Sequence, residues 1–152
     1  MSQHADSGPE PVAGAPRPDD RVPLPRPSPE SAPFWEFCRQ GELRLQRCHG
    51  CGRFWFPPAV FCPECWSGDW SWERVSGRGR IHSFVVFRRG YHPAFRDRLP
   101  YVVAVIELAE GPRLPTMLVE ADAQAVRVGQ AVEAVMTPVT DEVRLPLFRP
   151  AA

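Results

Sequence analysis

Alternation of apolar and polar positions dominates the second half of the chain. Ile81, Ser83, Val85 and Phe87 recur at every second position, as do Val102, Ala104, Ile106 and Leu108. A period of two puts such side chains on one face of a strand, so the pattern predicts two strands here. Glu110 and Gly111 form a tight turn into a third strand over residues 114–119, Asp122 opens a short helical turn, and two further strands follow over residues 132–137 and 143–148. No long helical period appears. Five short strands with a helical turn between the third and fourth is the element order of an OB-fold barrel, and a five-stranded half-sandwich shares it. Pro115 and Pro146 then belong at strand edges or bulges, because proline gives a ladder no N–H.

Upstream the pattern is shorter. Ser31 is placed to cap a helix through Pro33, Phe34, Trp35, Glu36, Phe37, Cys38 and Arg39, with proline in the first turn and Gly41 closing it. Leu43 and Leu45 alternate with Glu42, Arg44 and Gln46 as a short lead-in strand. Before residue 31 come eight prolines and almost no aromatic or long apolar residue. Such a segment cannot bury enough surface to offset its ordering entropy. The expected organisation is a disordered Pro-rich tail over 1–30, helix and lead-in strand over 31–45, a metal ribbon over 46–73 and the barrel over 74–150.

Composition narrows the chemistry. Eighteen basic residues balance eighteen acidic ones, so no net field draws the whole chain to nucleic acid or an anionic membrane. Every basic residue is arginine, which removes Schiff-base and P-loop lysine chemistry. No apolar run approaches the roughly 20 residues that span a bilayer, and no secretory pattern opens the chain. The expectation is a soluble cytoplasmic protein, in whose compartment paired cysteines serve metal rather than disulfides.

Cys48-His49-Gly50-Cys51 and Cys62-Pro63-Glu64-Cys65 are two C-x-x-C knuckles separated by ten residues. Each tight turn aims two thiolates at one cation, and together they complete a tetrahedron. Gly50 and Gly52 are expected to supply unusual backbone angles, and Pro63 to pre-set the second turn. Zinc is the default for four thiolates, with rubredoxin-like iron the alternative. Four protein ligands leave no open position for substrate, so the metal is expected to be structural. His49 reads as a turn residue, since a fourth cysteine completes the set. Cys38, with no histidine spaced to act as its base, reads as a small buried hydrophobe. The expected fold class is therefore mainly β: a short N-terminal helix, a rubredoxin-like four-cysteine ribbon, then a five-stranded OB-fold barrel.

Pro33-Phe34-Trp35, the cysteines with Phe56-Pro57-Pro58 between them, and Gly77-x-Gly79 opening a strand resemble one known family. Pro100-Tyr101-Val102-Val103, Glu110-Gly111-Pro112-Arg113, Val128-Gly129-Gln130-Ala131-Val132 and the ending Leu145-Pro146-Leu147-Phe148-Arg149-Pro150 follow in the same order. The family is the zinc-ribbon plus OB-fold group catalogued as domain of unknown function thirty-five, and the resemblance covers about residues 32–150. It implies a non-catalytic accessory subunit, associated with acyl-CoA, of a thiolase-like enzyme (thiolase, aldolase, acyltransferase or HMG-CoA synthase type) or a hotdog-fold enoyl-CoA hydratase. Lipid, steroid or polyketide metabolism is the implied setting, and no catalytic residue carries over.

Three function classes can be weighed on the residues. For an acyl-CoA accessory subunit, Arg88, Arg89, His92, Arg96 and Arg98 cluster between the first two barrel strands among Phe87, Tyr91, Phe95 and Tyr101. Arginine forks and aromatic faces suit the phosphates and adenine of coenzyme A; a solvated loop is the plainer alternative. Nucleic-acid binding would use the same residues, but the charge balance and the acids across the barrel segment argue against it. Independent catalysis lacks a triad, an open metal site or a phosphate loop. Phe34, Trp35, Phe37 and Trp55 exceed what a small ribbon needs and are candidates for a partner interface, with internal packing the competing role.

Overall fold

The computed structural model describes residues 12–16 and 21–152. Helix α1 spans Ala32–Arg39, with Pro33 in its first turn. Phe34 and Cys38, one turn apart, form its buried stripe. Ser31 does not cap it through its side chain; the hydroxyl instead accepts the Ser28 N–H at 2.8 Å, fixing the turn that leads into the helix. Gly41 closes the other end at φ +85°, its N–H donating to the Cys38 carbonyl at 2.9 Å.

Three strands form the ribbon sheet: β1 (Arg44–Cys48), β2 (Phe54–Trp55) and β3 (Trp70–Arg74), antiparallel in the order β2-β1-β3. The lead-in strand is thus the centre of the ribbon and carries Cys48 at its end. Gln46 lies on this strand at 1% exposure. Its Nε2 donates to the Ala59 carbonyl and its Oε1 accepts the Ala59 N–H, both at 2.8 Å, so one side chain clamps the loop between the knuckles to β1.

The second half closes into a barrel of β4 (Arg78–Phe87), β5 (Tyr101–Leu108), β6 (Arg113–Leu118), β7 (Ala131–Pro138) and β8 (Arg144–Pro150), ordered β4-β5-β6-β8-β7. All pairs are antiparallel except β6–β8, and β4–β7 completes the circle. Closure into an OB-fold barrel decides against the half-sandwich. The expected turn at Asp122 is present, with the Ala125 N–H donating to its carbonyl at 2.9 Å. Pro115 and Pro146 lie along the β6–β8 seam, where Leu118 and Phe148 are the one paired position.

The β5 face is as the alternation predicts, with Val102, Ala104, Ile106 and Leu108 all buried. The β4 face is corrected. The register shifts between Ile81 and Ser83, so His82 is an extra residue and the phase inverts beyond it. Ile81 stays inside, Phe84 and Val86 turn toward the core, and Ser83 and Val85 face outward. Gly79 lets β4 run close to β5: a Cβ there would sit 2.5 Å from the Glu107 carbonyl oxygen and 2.7 Å from Ile106 Cγ2.

One apolar core joins helix, ribbon and barrel. Phe34, Cys38, Leu43, Leu45 and Val75 belong to the same buried cluster as Ile81, Ile106, Leu118, Val132 and Phe148. Residues 12–16, within the segment expected to be disordered, lie against the barrel, where Ala15 joins a smaller cluster with Val119 and Leu147. No helix among the described residues is long and apolar enough to cross a membrane.

Candidate metal centre and docking faces

Two hairpin turns of the ribbon bring the four cysteines together. The sulfurs of Cys48, Cys51, Cys62 and Cys65 all lie within 4.8 Å of one another. Cys48 Sγ is 3.5 Å from Cys65 Sγ, and Cys51 Sγ is 3.7 Å from Cys62 Sγ. A tetrahedron with metal–sulfur bonds of about 2.3 Å has edges of about 3.8 Å, so the sulfurs fit one four-coordinate cation. The Cys51 N–H, 3.4 Å from Cys48 Sγ, and that of Gly50 at 3.3 Å favour the thiolate and help lower Cys48 to about 6.

The two knuckles repeat one backbone plan. Gly52 N–H donates to the Cys48 carbonyl and Trp66 N–H to the Cys62 carbonyl, both at 2.9 Å. Gly52 and Trp66 both take the left-handed conformation, at φ +76° and +62°. Gly50 does not; a Cβ there would lie 3.5 Å from Cys48 Sγ and 3.7 Å from Cys65 Sγ, against the metal cage. For glycine the left-handed region is free, whereas for a bulky residue it is a strained exception. Trp66 carries that strain with its side chain 76% exposed.

His49 stands outside the sulfur cluster. Its Nδ1 lies 2.9 Å from Asp69 Oδ1 and its Nε2 2.8 Å from Ser71 Oγ, so it ties the first knuckle to the start of β3. Cys38 is fully buried, and burial pushes its thiol up to about 12, which makes it a core residue rather than a nucleophile.

The four aromatic interface candidates separate. Phe34 and Trp55 are interior, at 2% and 6% exposure: Phe34 faces the shared core, and Trp55 packs with Cys48 and Cys62. Trp35 and Phe37 are half-buried, on the helix flanks beside that stripe. Trp55, Trp70, Trp72 and Phe37 form a ladder with ring centroids 6.0, 6.0 and 5.8 Å apart, which ties the ribbon to α1.

Arg88, Arg89, His92 and Arg96 all lie exposed on the β4–β5 connection, with the last two on or beside a 3₁₀ turn at Pro93–Arg98. Phe87 stacks on Tyr101 at 4.9 Å and 8°, and Phe95 leans on Tyr101 at 5.3 Å. Gly90 folds the loop on itself, since a Cβ there would lie 2.8 Å from Arg96 Cγ.

Two family models match this chain: the ChsH2 rubredoxin-like zinc ribbon domain over residues 35–71, and the ChsH2 C-terminal OB-fold domain over residues 72–137. A DUF35 domain-containing scaffold protein of Methanothermobacter thermautotrophicus is 39% identical over 101 residues, covering 66% of this chain and 75% of the relative. The chain belongs to the DUF35 family. A probable enoyl-CoA hydratase alpha subunit of Thermomonospora curvata is 40% identical over 119 residues, and this DUF35 chain covers only 37% of that relative's length. Among solved structures, the Ltp2-ChsH2(DUF35) aldolase matches at 37% identity with a TM-score of 0.78, over 85% of this chain and 100% of the other. The ribbon match of the DUF35 chain includes most of α1 and all of β1, the elements whose side chains make the shared core.

Two features of this DUF35 chain carried no recognisable sequence signal. Gln46 looked like one of the polar positions of an alternating strand, and His49 like an unattached turn residue. Trp66 had one available sign: it occupies the position after the second cysteine that Gly52 fills in the first knuckle.

Proposed function

We propose that this chain is a non-catalytic accessory subunit that docks on a thiolase-like or hotdog-fold hydratase-like enzyme acting on acyl-CoA thioesters. The observation that carries this reading is the match, over the full length of the solved chain, to a structure described as the Ltp2-ChsH2(DUF35) aldolase. Relatives called scaffold proteins, and one called a benzoylsuccinyl-CoA thiolase subunit, support it. So does the chemistry of the ribbon. A cation held by four thiolates has no position left for substrate, which makes the centre a structural staple of about 10–16 kcal/mol rather than a reaction site. Zinc is the metal that ligand set and the matched ribbon family favour, with iron the alternative. Thiolates available to a metal suit the reducing cytoplasm.

The partner contact is assigned to the exposed flanks of Trp35 and Phe37 and to Trp66 at the ribbon tip. Arg88, Arg89, His92 and Arg96, beside the Phe87–Tyr101 stack, are assigned to the phosphates and adenine of the thioester. The test is co-expression with the adjacent genes followed by identification of the stable complex. A thiolase-like or hydratase-like enzyme in stoichiometric complex, released by Trp35→Ala with metal content unchanged, is the expected result. A lone monomer with its own turnover overturns the reading. Coenzyme A titrated into that complex should bind at least tenfold more weakly to the Arg88→Glu, Arg89→Glu double variant.

A further inference from the structure

The β6–β8 seam leaves an apolar groove that the barrel does not fill itself. It has a volume of about 370 Å³ and is walled by Phe34, Trp35, Leu114, Met117, Leu145 and Leu147. Its origin is local. The two strands run parallel and pair at Leu118 and Phe148, and each contributes a proline, Pro115 and Pro146, with no N–H to extend the ladder. Thr116 Oγ1 donates to the Pro146 carbonyl at 2.9 Å across the gap.

The rim of this groove already holds an occupant. Residues 12–15 make a turn closed by the Ala15 N–H and the Val12 carbonyl at 3.1 Å. Gly14, at φ +83°, lets the turn lie flat over Val119, whose Cα would be 4.0 Å from a Cβ at that position. Ala15 is 8% exposed and packs with Val119 and Leu147; Val12, Met117 and Leu145 surround them. Pro16 then lines the groove wall. The barrel meets the segment with one backbone donor: Glu120 takes a left-handed conformation at φ +51°, and its N–H donates to the Ala13 carbonyl at 3.0 Å. The left-handed backbone at Glu120 aims its amide at the segment and gives the barrel a point of attachment for it.

We propose that the β6–β8 seam is a docking groove whose occupant is residues 12–16 of this chain, a turn of small apolar residues that acts as a strap and detaches as a unit. The side chains it buries are small, and among the described residues a single backbone bond, from Glu120 just beyond β6, ties it to the barrel. Its docked state therefore offsets the entropy of ordering five residues only narrowly. Detachment uncovers Met117, Leu145 and Leu147.

Hydrogen exchange at two adjacent amides of the full chain tests this. Val119 N–H donates to the Phe148 carbonyl inside the barrel at 2.8 Å and reports the fold; Glu120 N–H reports the strap. In the unaltered chain Glu120 is expected to exchange at least tenfold faster than Val119 yet at least tenfold slower than an unprotected amide. Ala15→Arg should bring Glu120 to the unprotected rate, leave Val119 within twofold, and raise the fluorescence of added anilinonaphthalene sulfonate severalfold. If that variant also disturbs Val119, Gly14→Val, which puts a β-branched residue at the left-handed φ of +83° that the turn requires, decides by the same readout. Equal rates at the two amides in the unaltered chain, or a Glu120 rate that neither variant changes, would overturn the proposal.

Discussion

Replacing Gln46 by methionine probes how the ribbon holds its metal. The substitution keeps the shape of a side chain that is almost fully buried and removes its two 2.8 Å hydrogen bonds to Ala59. Each such bond contributes about 1 kcal/mol net, and the half-buried Ala59 N–H and carbonyl lose their partner, so the expected cost is roughly 2–4 kcal/mol. The damage should fall on the loop between the knuckles. Urea unfolding of the metal-loaded chain, followed by tryptophan fluorescence, should show the loss, and transfer of the metal to a chromophoric chelator should speed up at least tenfold. Gln46→Glu keeps an acceptor for the Ala59 N–H but sets a second oxygen against the Ala59 carbonyl, so it should be no better. A methionine variant within about 0.5 kcal/mol of the original, with unchanged metal release, would refute the clamp; such a small change is typical of unconstrained surface positions.

Three further substitutions test other parts of the account. Gly79→Ala forces a Cβ against the Glu107 carbonyl oxygen at 2.5 Å and should cost about 1–3 kcal/mol in thermal or urea unfolding, with metal content unchanged. Trp66→Gly should raise stability by about 0.5–1 kcal/mol, because glycine takes the left-handed position without strain, while weakening the partner complex; the urea midpoint and the complex are both measured. The Cys38 thiol titrates near 12 in the folded chain against 9.0 for a free thiol, so the unfolded state loses its proton first. Its contribution to stability is intact below about pH 9 and falls by up to about 1.4 kcal/mol per pH unit as pH rises toward 12. Cys38→Ala should flatten that decline relative to the unaltered chain.

Periodicity made the barrel legible because an inward-facing strand needs an apolar residue at every second position, and β5 obeys this without interruption. It failed on β4 because a bulge adds one residue with no change in composition, so the face switches beyond His82 while the letters still alternate. The cysteine spacing singled out the four sulfurs that the structure gathers, because two tight C-x-x-C turns permit few alternative arrangements. The short strands β2 and β3 carry no pattern of their own, since their register is set by the knuckle turns and by pairing with β1. Aromatic richness marked the ribbon but could not separate inside from outside: Trp55 packs against the cysteines, whereas Trp66, eleven residues on, is held out in solvent. Gln46 misled for a related reason, because a polar side chain can be buried when both ends of its amide find backbone partners.

X-ray absorption on freshly purified, unaltered chain tests the four-thiolate centre most directly. About one metal ion per chain, with four sulfur neighbours near 2.3 Å and no nitrogen or oxygen in the first shell, is the expected result, and removal of that ion should unfold the ribbon. A nitrogen or oxygen ligand in place of a sulfur, or metal-free protein whose ribbon amides stay protected from exchange, would contradict it.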